Sequence, residues 1–119
     1  MTLPEYIASN RRRPFEWGSF DCVLFVAGWV RLRTGVDQLA GLPAWTSERE
    51  ARRVIASIGG LSAALDSRLV RIKPGMAIDG DIGIVENTLG VFTGRHIVAA
   101  GQSGLIFIDR MRAECAWAC

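Results

Sequence analysis

The chain has 119 residues, a formal net charge of +2, 50% hydrophobic residues and 22% charged ones. This is the composition of one globular domain with one core, and the charge is too small to argue for nucleic acid. The longest uncharged apolar run, Cys22 to Val30, falls far short of the ~20 residues that span a bilayer. The N-terminal MTLPEYIASNRRR has no apolar signal region, and three scattered cysteines make no disulfide framework, so synthesis in a reducing compartment without Sec export is expected.

Thr2-Leu3-Pro4-Glu5 reads as a capping box with proline in the first turn, which predicts a short helix from Pro4 to about Asn10 with Tyr6 and Ile7 inward. Arg11-Arg12-Arg13 then runs into Pro14, which ends that helix. Such a charge run reads as a solvated turn, the alternative being a contact to phosphate or an acidic partner. Phe15 to Gly35 holds the central helix. Asp21 or Ser19 caps it, Val23 to Val30 is apolar, and Arg31, Arg33 and Gly35 mark its end. A helix of about fifteen residues follows, roughly 22 Å long and buried nearly all round.

Val36 to Trp45 is a connector without a period. Ser47 and Glu50 repeat the capping box and open a helix through EREARRVIASI, with Ala51, Val54, Ile55 and Ile58 on one face. Gly59-Gly60 stops it, and Leu61 to Arg68, capped by Ser62, makes a further short helix.

From Leu69 the pattern changes to strands. Leu69–Ile72, Ile82–Val85, Leu89–Thr93, His96–Ala100 and Leu105–Ile108 are separated by turn signals such as Glu86-Asn87 and Gly94-Arg95. Met111 to Trp117 adds a last edge strand. Helices over 1–68 followed by strands over 69–117 predict one α+β domain, in which the buried central helix packs on a small antiparallel sheet or open barrel.

Cys22 falls in the first turn of the central helix. The positive end of the helix dipole stabilises a thiolate there, and thiolate is the nucleophile. Cysteine is equally a small apolar core residue, and Asp21 beside it a helix cap. Cys115 and Cys119, with Cys22 and His96, number four zinc donors but lack knuckle spacing, so no metal or other cofactor is expected. Trp17, Trp29, Trp45 and Trp117 read as core or interface anchors. No stretch looks like a phosphate loop or a base-reading helix.

Phe15-x-Trp17-Gly18-x-x-Asp21-Cys22-x-x-Phe25, Gly80-Asp81-Ile82 and Leu89-Gly90-Val91-Phe92-x-Gly94 together resemble the NlpC-type papain-like cysteine peptidases. The first takes the form that motif has in phage and prophage tail proteins, and the resemblance covers about residues 14 to 117. It implies a papain-like fold, with Cys22 as the nucleophile on peptide cross-links of peptidoglycan and Asp21 as a helix cap or auxiliary group. It also implies other tail-tip proteins as partners, with the virion as destination after synthesis in the host cytoplasm.

One part of the family pattern has no counterpart. The general base is a histidine just before a Val-Gly-Ile-Tyr-type segment. Here Thr88 stands there, or Leu89 in a register one residue away, and neither takes a proton from a thiol near neutral pH. The only histidine, His96, lies on the next strand, where the family's orienting polar residue falls nearer Val98 or Ala100. Residues 96, 98 and 100 share one face, so His96 points toward Cys22 but up to about 6–7 Å out of place. Gln102, in a turn, is a conceivable orienter.

Two functions are therefore expected from the resemblance. One is a structural or assembly module of the tail tip with weak or no hydrolase activity, which the missing base favours. The other is an active peptidoglycan endopeptidase with Cys22 as nucleophile and His96 as base. A cytoplasmic thiol enzyme or acyltransferase is a distant third.

Overall fold

Thr2 caps α1 (Leu3–Asn10) as the sequence predicts: its hydroxyl accepts from the Glu5 N–H at 3.3 Å, and the Glu5 carboxylate accepts from the Thr2 N–H at 3.0 Å. The computed structural model describes residues 1–119. α2 (Cys22–Thr34) begins at the Asp21 cap and ends at Gly35, whose φ of 78° suits glycine. α3 (Glu48–Ser57) is capped by Ser47, and the Glu50 carboxylate reaches back to the Thr46 N–H and hydroxyl. α4 (Leu61–Asp66) starts after Gly60 with no side-chain cap. Ser62, expected to cap it, is already its second helical residue, too late for that role.

Six strands follow: β1 (Val70–Ile72), β2 (Ile82–Val85), β3 (Thr88–Thr93), β4 (His96–Gly101), β5 (Gly104–Asp109) and β6 (Cys115–Ala118). They form one antiparallel sheet in the order β1-β6-β2-β3-β4-β5, so the class is α+β. The sequence puts the last strand at an edge; the structure inserts it between β1 and β2. Trp117 pairs with Arg71 on one side and Ile82 on the other. It is fully buried, and its indole N–H donates to Asp66 at 2.9 Å. Alternation identifies a strand but not its neighbours, which is why the sequence misplaces this one. The sheet stays open, with β1 and β5 as edges.

One sheet face packs on the helices. Phe25, Val26, Trp29 and Val30 of α2 meet Ile82, Leu89, Val91, Val98 and Trp117. The other face carries a smaller core of Ala77, Val85, Phe92, Ile97 and Ala116. There Arg110 lies over the Phe92 ring at 5.0 Å and donates to the Ala77 carbonyl at 2.7 Å.

α2 is not buried nearly all round, contrary to its apolar composition. Cys22, Val23, Leu24 and Ala27 are half-buried, and Leu32 is 50% exposed. A sheet covers only one side of a helix; elsewhere Tyr6 of α1 packs on Phe25 and Trp29, and Val23 and Leu24 meet only the small cluster of Trp45, Ala51 and Val54. No helix is long and apolar enough to cross a membrane.

Candidate functional site

Asp21 is fully buried, and its carboxylate is fully engaged. Oδ1 accepts from the Leu24 N–H at 2.9 Å; Oδ2 accepts from the Gly18 N–H at 3.2 Å and from the Trp45 indole N–H at 2.7 Å. Gly18 has φ 84°, and a Cβ there would run into the Trp45 carbonyl, so the position takes glycine alone. The Trp17-Gly18-x-x-Asp21 motif is thus a fold element that sets Cys22 as the first residue of α2. Asp21 is its helix cap, with no oxygen left over for chemistry.

Gly80-Asp81 is structural in the same way. The Gly80 carbonyl accepts from the Trp29 indole N–H at 2.9 Å, and the Asp81 carboxylate accepts from the N–H groups of Ile78 at 2.8 Å and Cys119 at 3.0 Å. The first bond fixes α2 against the start of β2, and the Asp81 bonds tie that start to its own loop and to the end of β6.

Cys22 faces a cleft of about 700 Å³ between the start of α2, α3 and the β2–β3 turn. Phe15 and Trp17, edge to face with ring centres 4.9 Å apart, line one wall. Thr88 and Ala100 lie on the sheet side, and Glu48, Arg52, Glu86 and Asn87 add polar groups to the lining. Glu86 and Asn87 have φ of 48° and 62°, the positive pair that a type I′ hairpin turn demands. Glu86 is held there by Arg112 at 2.7 Å, and its N–H donates to Glu114 at 2.8 Å.

Burial pushes the Cys22 thiol above its ordinary pKa. A backbone hydrogen bond from Leu89 offsets part of this, and the neighbouring Asp21 charge pushes it up again. Burial outweighs the helix start, so near neutral pH the group is a protonated thiol and a poor nucleophile.

The structure brings Cys22, Thr88 and Ala100 to one cleft and leaves His96 outside it. His96 opens β4 at the end opposite Ala100, four residues or about 13 Å along the strand. It is exposed, pairs with Thr93 and Asp109, and meets the Phe107 ring edge-on at 6.1 Å. The sequence brings His96 toward Cys22 because residues 96, 98 and 100 share a face. The cleft, however, lies at the Ala100 end, and no single water bridges that span. Gln102 is exposed in the β4–β5 turn, its carbonyl accepting from the Phe15 N–H at 3.5 Å, and its side chain makes no hydrogen bond to His96.

Cys115 lies 3.8 Å from the Arg71 guanidinium, and no three His, Cys, Asp or Glu side chains converge to hold a metal ion. Two of the three adjacent arginines are not merely solvated. Arg11 stacks on Phe107 at 5.2 Å; Arg13 stacks on Phe20 at 4.5 Å and donates to the Ser19 carbonyl at 3.1 Å. Sequence reasoning also missed Phe15 and Trp17 as a cleft wall, and its only signal was their position ahead of Asp21-Cys22.

No match was found among curated proteins or among solved structures. A family model matches residues 1–119, and on that match the chain belongs to the family described as Domain of unknown function (DUF6950).

Proposed function

We propose that the chain is an NlpC-type papain-like domain of the phage-tail branch, and that it serves in the tail tip as a structural or assembly subunit with weak or no hydrolase activity. The observation that carries this reading is a cysteine cleft without a histidine. Thr88 and Ala100 stand beside a thiol that burial pushes above its ordinary pKa, and the only histidine sits at the far end of β4. Amide cleavage by a thiol needs a group to take its proton and return one to the leaving amine. The papain-like part is supported by a cysteine at the first position of a helix packed on an antiparallel sheet that follows it, with Gly80-Asp81 leading into β2.

An assembly role needs partner surface. Met76, Ile78 and Met111 are 71%, 66% and 86% exposed, on two turns joined by Arg110 bonds to the carbonyls of Pro74 and Ala77. Exposed apolar groups of this kind suit contact with other tail proteins, burying at least ~1,000 Å² in a stable interface.

One observation favours the alternative of an active peptidoglycan endopeptidase: the cleft beside Cys22 is open. Purified wild type and Cys22→Ala on cell-wall sacculi, with virion assembly by the same variant, decide between the two. The expected result is no Cys22-dependent peptide release from a protein that joins the particle. Cys22-dependent release with normal assembly supports the peptidase, and a chain that never joins the particle defeats both readings.

A further inference from the structure

Met76, Ile78 and Met111 stand exposed on a surface built from three separate segments. Met76 ends the 3-10 turn Pro74–Met76, Ile78 follows two residues later, and Met111 is the middle residue of the turn Arg110–Arg112. One guanidinium joins the pieces. Arg110 donates to the carbonyls of Pro74 at 3.4 Å, Ala77 at 2.7 Å and Gly94 at 3.2 Å, and lies over the buried Phe92 ring. The three apolar side chains are thus carried by turns already fixed to one another, which lowers the ordering cost of an interface. Two of the three are methionine, whose flexible thioether adapts to the shape of an apolar partner. Backbone and charge then select the partner. The N–H groups of Met76 and Ala77 donate to the carbonyls of Lys73 and Pro74, and those of Ile78, Gly94 and Met111 to the carboxylates of Asp81, Asp79 and Asp109. These segments offer no strand edge, so they bind through side chains. A helix suits such a surface, because it arrives with its own backbone hydrogen bonds made and an apolar stripe on one face.

Lys73, Arg95, Arg110 and Arg112 belong to the same segments, against Asp79 and Asp109. Both carboxylates are engaged with backbone N–H groups, Arg110 is committed to its three carbonyls, and Arg112 is paired with Glu86. Lys73 and Arg95 are exposed and make no ion pair. The surplus is positive, which repels a second copy of the same surface and attracts an acidic partner. Asp79 and Asp109 would face the phosphates of an anionic lipid surface, which calls for a uniformly basic rim. We propose that this surface takes an acidic amphipathic helix of a partner protein, its apolar stripe on Met76, Ile78 and Met111 and its carboxylates on Lys73 and Arg95. The proposal rests on the reading of the chain as an assembly subunit and supplies the chemistry of its neighbour.

Fluorescence anisotropy of labelled peptides against the whole chain tests this, with methionine-methyl NMR to locate the contact. The probes are an acidic helical peptide with leucine at i, i+3, i+4 and i+7 and glutamate between, its lysine counterpart, and the acidic sequence scrambled to destroy the stripe. Phosphatidylglycerol vesicles are the fourth probe. The acidic peptide should bind saturably and shift the Met76 and Met111 methyls, with the lysine and scrambled peptides at least tenfold weaker and the vesicles without effect. Met76→Ser with Met111→Ser removes the apolar centre, and Lys73→Glu with Arg95→Glu reverses the charge beside it. Each pair should weaken the acidic peptide at least tenfold with melting unchanged, since all four side chains are exposed. Should the serine pair not fold, the charge reversal decides alone. Absent saturation, equal binding of the lysine peptide, or affinity indifferent to the variants overturns the proposal. So do methyl shifts with vesicles, which would assign the surface to lipid, and shifts that follow protein concentration without any probe, which would assign it to a second copy. Incorporation into the particle separates this proposal from the assembly reading. A folded serine pair that joins the particle as wild type does overturns this proposal alone; a wild type that binds the acidic peptide and never joins the particle sinks the assembly reading and upholds the surface.

Discussion

The indole N–H of Trp45 donates to Oδ2 of Asp21 over 2.7 Å, and both residues are buried. The bond ties the connector before α3 to the start of α2. Asp21→Ala would strip that indole and the N–H groups of Gly18 and Leu24 of their acceptor at once. Of the three, only the Trp45 indole is buried, so its unsatisfied N–H costs about 1–3 kcal/mol and the lost helix cap about 1 kcal/mol more, and a loss of roughly 2–4 kcal/mol is expected in urea unfolding. Asp21→Asn keeps one acceptor oxygen and should cost less. An Asp21→Ala chain with the wild-type midpoint would refute the assignment of Asp21 as the organiser of this loop.

Gly28 lies inside α2, where alanine would ordinarily stabilise by roughly 0.5–1 kcal/mol. Here a Cβ would run into the Tyr6 hydroxyl, which donates to the Phe25 carbonyl. Gly28→Ala should therefore destabilise the wild type. In a Tyr6→Phe background the nearest atom would be the ring carbon at 3.5 Å, an ordinary contact, and the same change should stabilise. A double-mutant cycle by thermal unfolding reads the sign in each background. The same sign in both would disprove the contact.

Local chemistry was legible and pairing was not. Thr2-x-x-Glu5, Ser47-x-x-Glu50, Asp21 and Gly35 mark helix ends through hydrogen bonds between near neighbours, so sequence alone reveals them. The turns at Glu86-Asn87 and Gly94-Arg95 follow from the same local rules. The place of β6 depends on Trp117 meeting Arg71 and Ile82, partners far away in the chain. The distance of His96 from the cleft likewise depends on which end of β4 meets α2. Gly18, Asp21, Gly80 and Asp81 were legible as a motif, but their hydrogen bonds make them architecture. Of the motif residues, only Cys22 reaches the cleft together with Phe15 and Trp17.

Alkaline pH should unfold this chain early. Burial pushes Tyr6 from 10.0 up to about 12 and raises Cys22 and Cys119 above 9.0. Groups whose pKa is raised by folding add stability that is complete below the unfolded value and lost as pH climbs through the folded one. Melting temperature should hold below pH 9 on account of these groups, then fall between pH 9 and 12. Tyr6→Phe should blunt the fall above pH 10, at the cost of about 1 kcal/mol for the lost hydrogen bond. A variant that falls as steeply as wild type would exclude Tyr6 as the cause.

The raised thiol pKa of Cys22 also sets its reactivity. Iodoacetamide at pH 7 should modify it more slowly than an unhindered thiol, with the rate still rising above pH 9 as thiolate appears. Mass spectrometry of the folded protein at timed intervals gives the rates for Cys22, Cys115 and Cys119 separately. Rapid, selective capture of Cys22 at pH 7 would mean an activated nucleophile and would argue for the peptidase.

The position of β6 makes the C-terminal residues a test of the whole sheet. Removing Cys115–Cys119 takes away the only partner of β1, exposes the edge of Ile82–Ile84, and deletes the Cys119 N–H bond to Asp81. It also deletes the fully buried Trp117. Trp117→Ala alone should cost about 3–5 kcal/mol, a large share of the ~5–15 kcal/mol that holds a domain together. The truncated chain should therefore show collapsed amide dispersion and no cooperative melt. Trp117→Phe, which keeps most of the apolar volume but loses the bond to Asp66, should fold with a loss of about 1–2 kcal/mol. A truncated chain that melts cooperatively near the wild-type temperature would show that β6 is dispensable, which a strand between β1 and β2 cannot be.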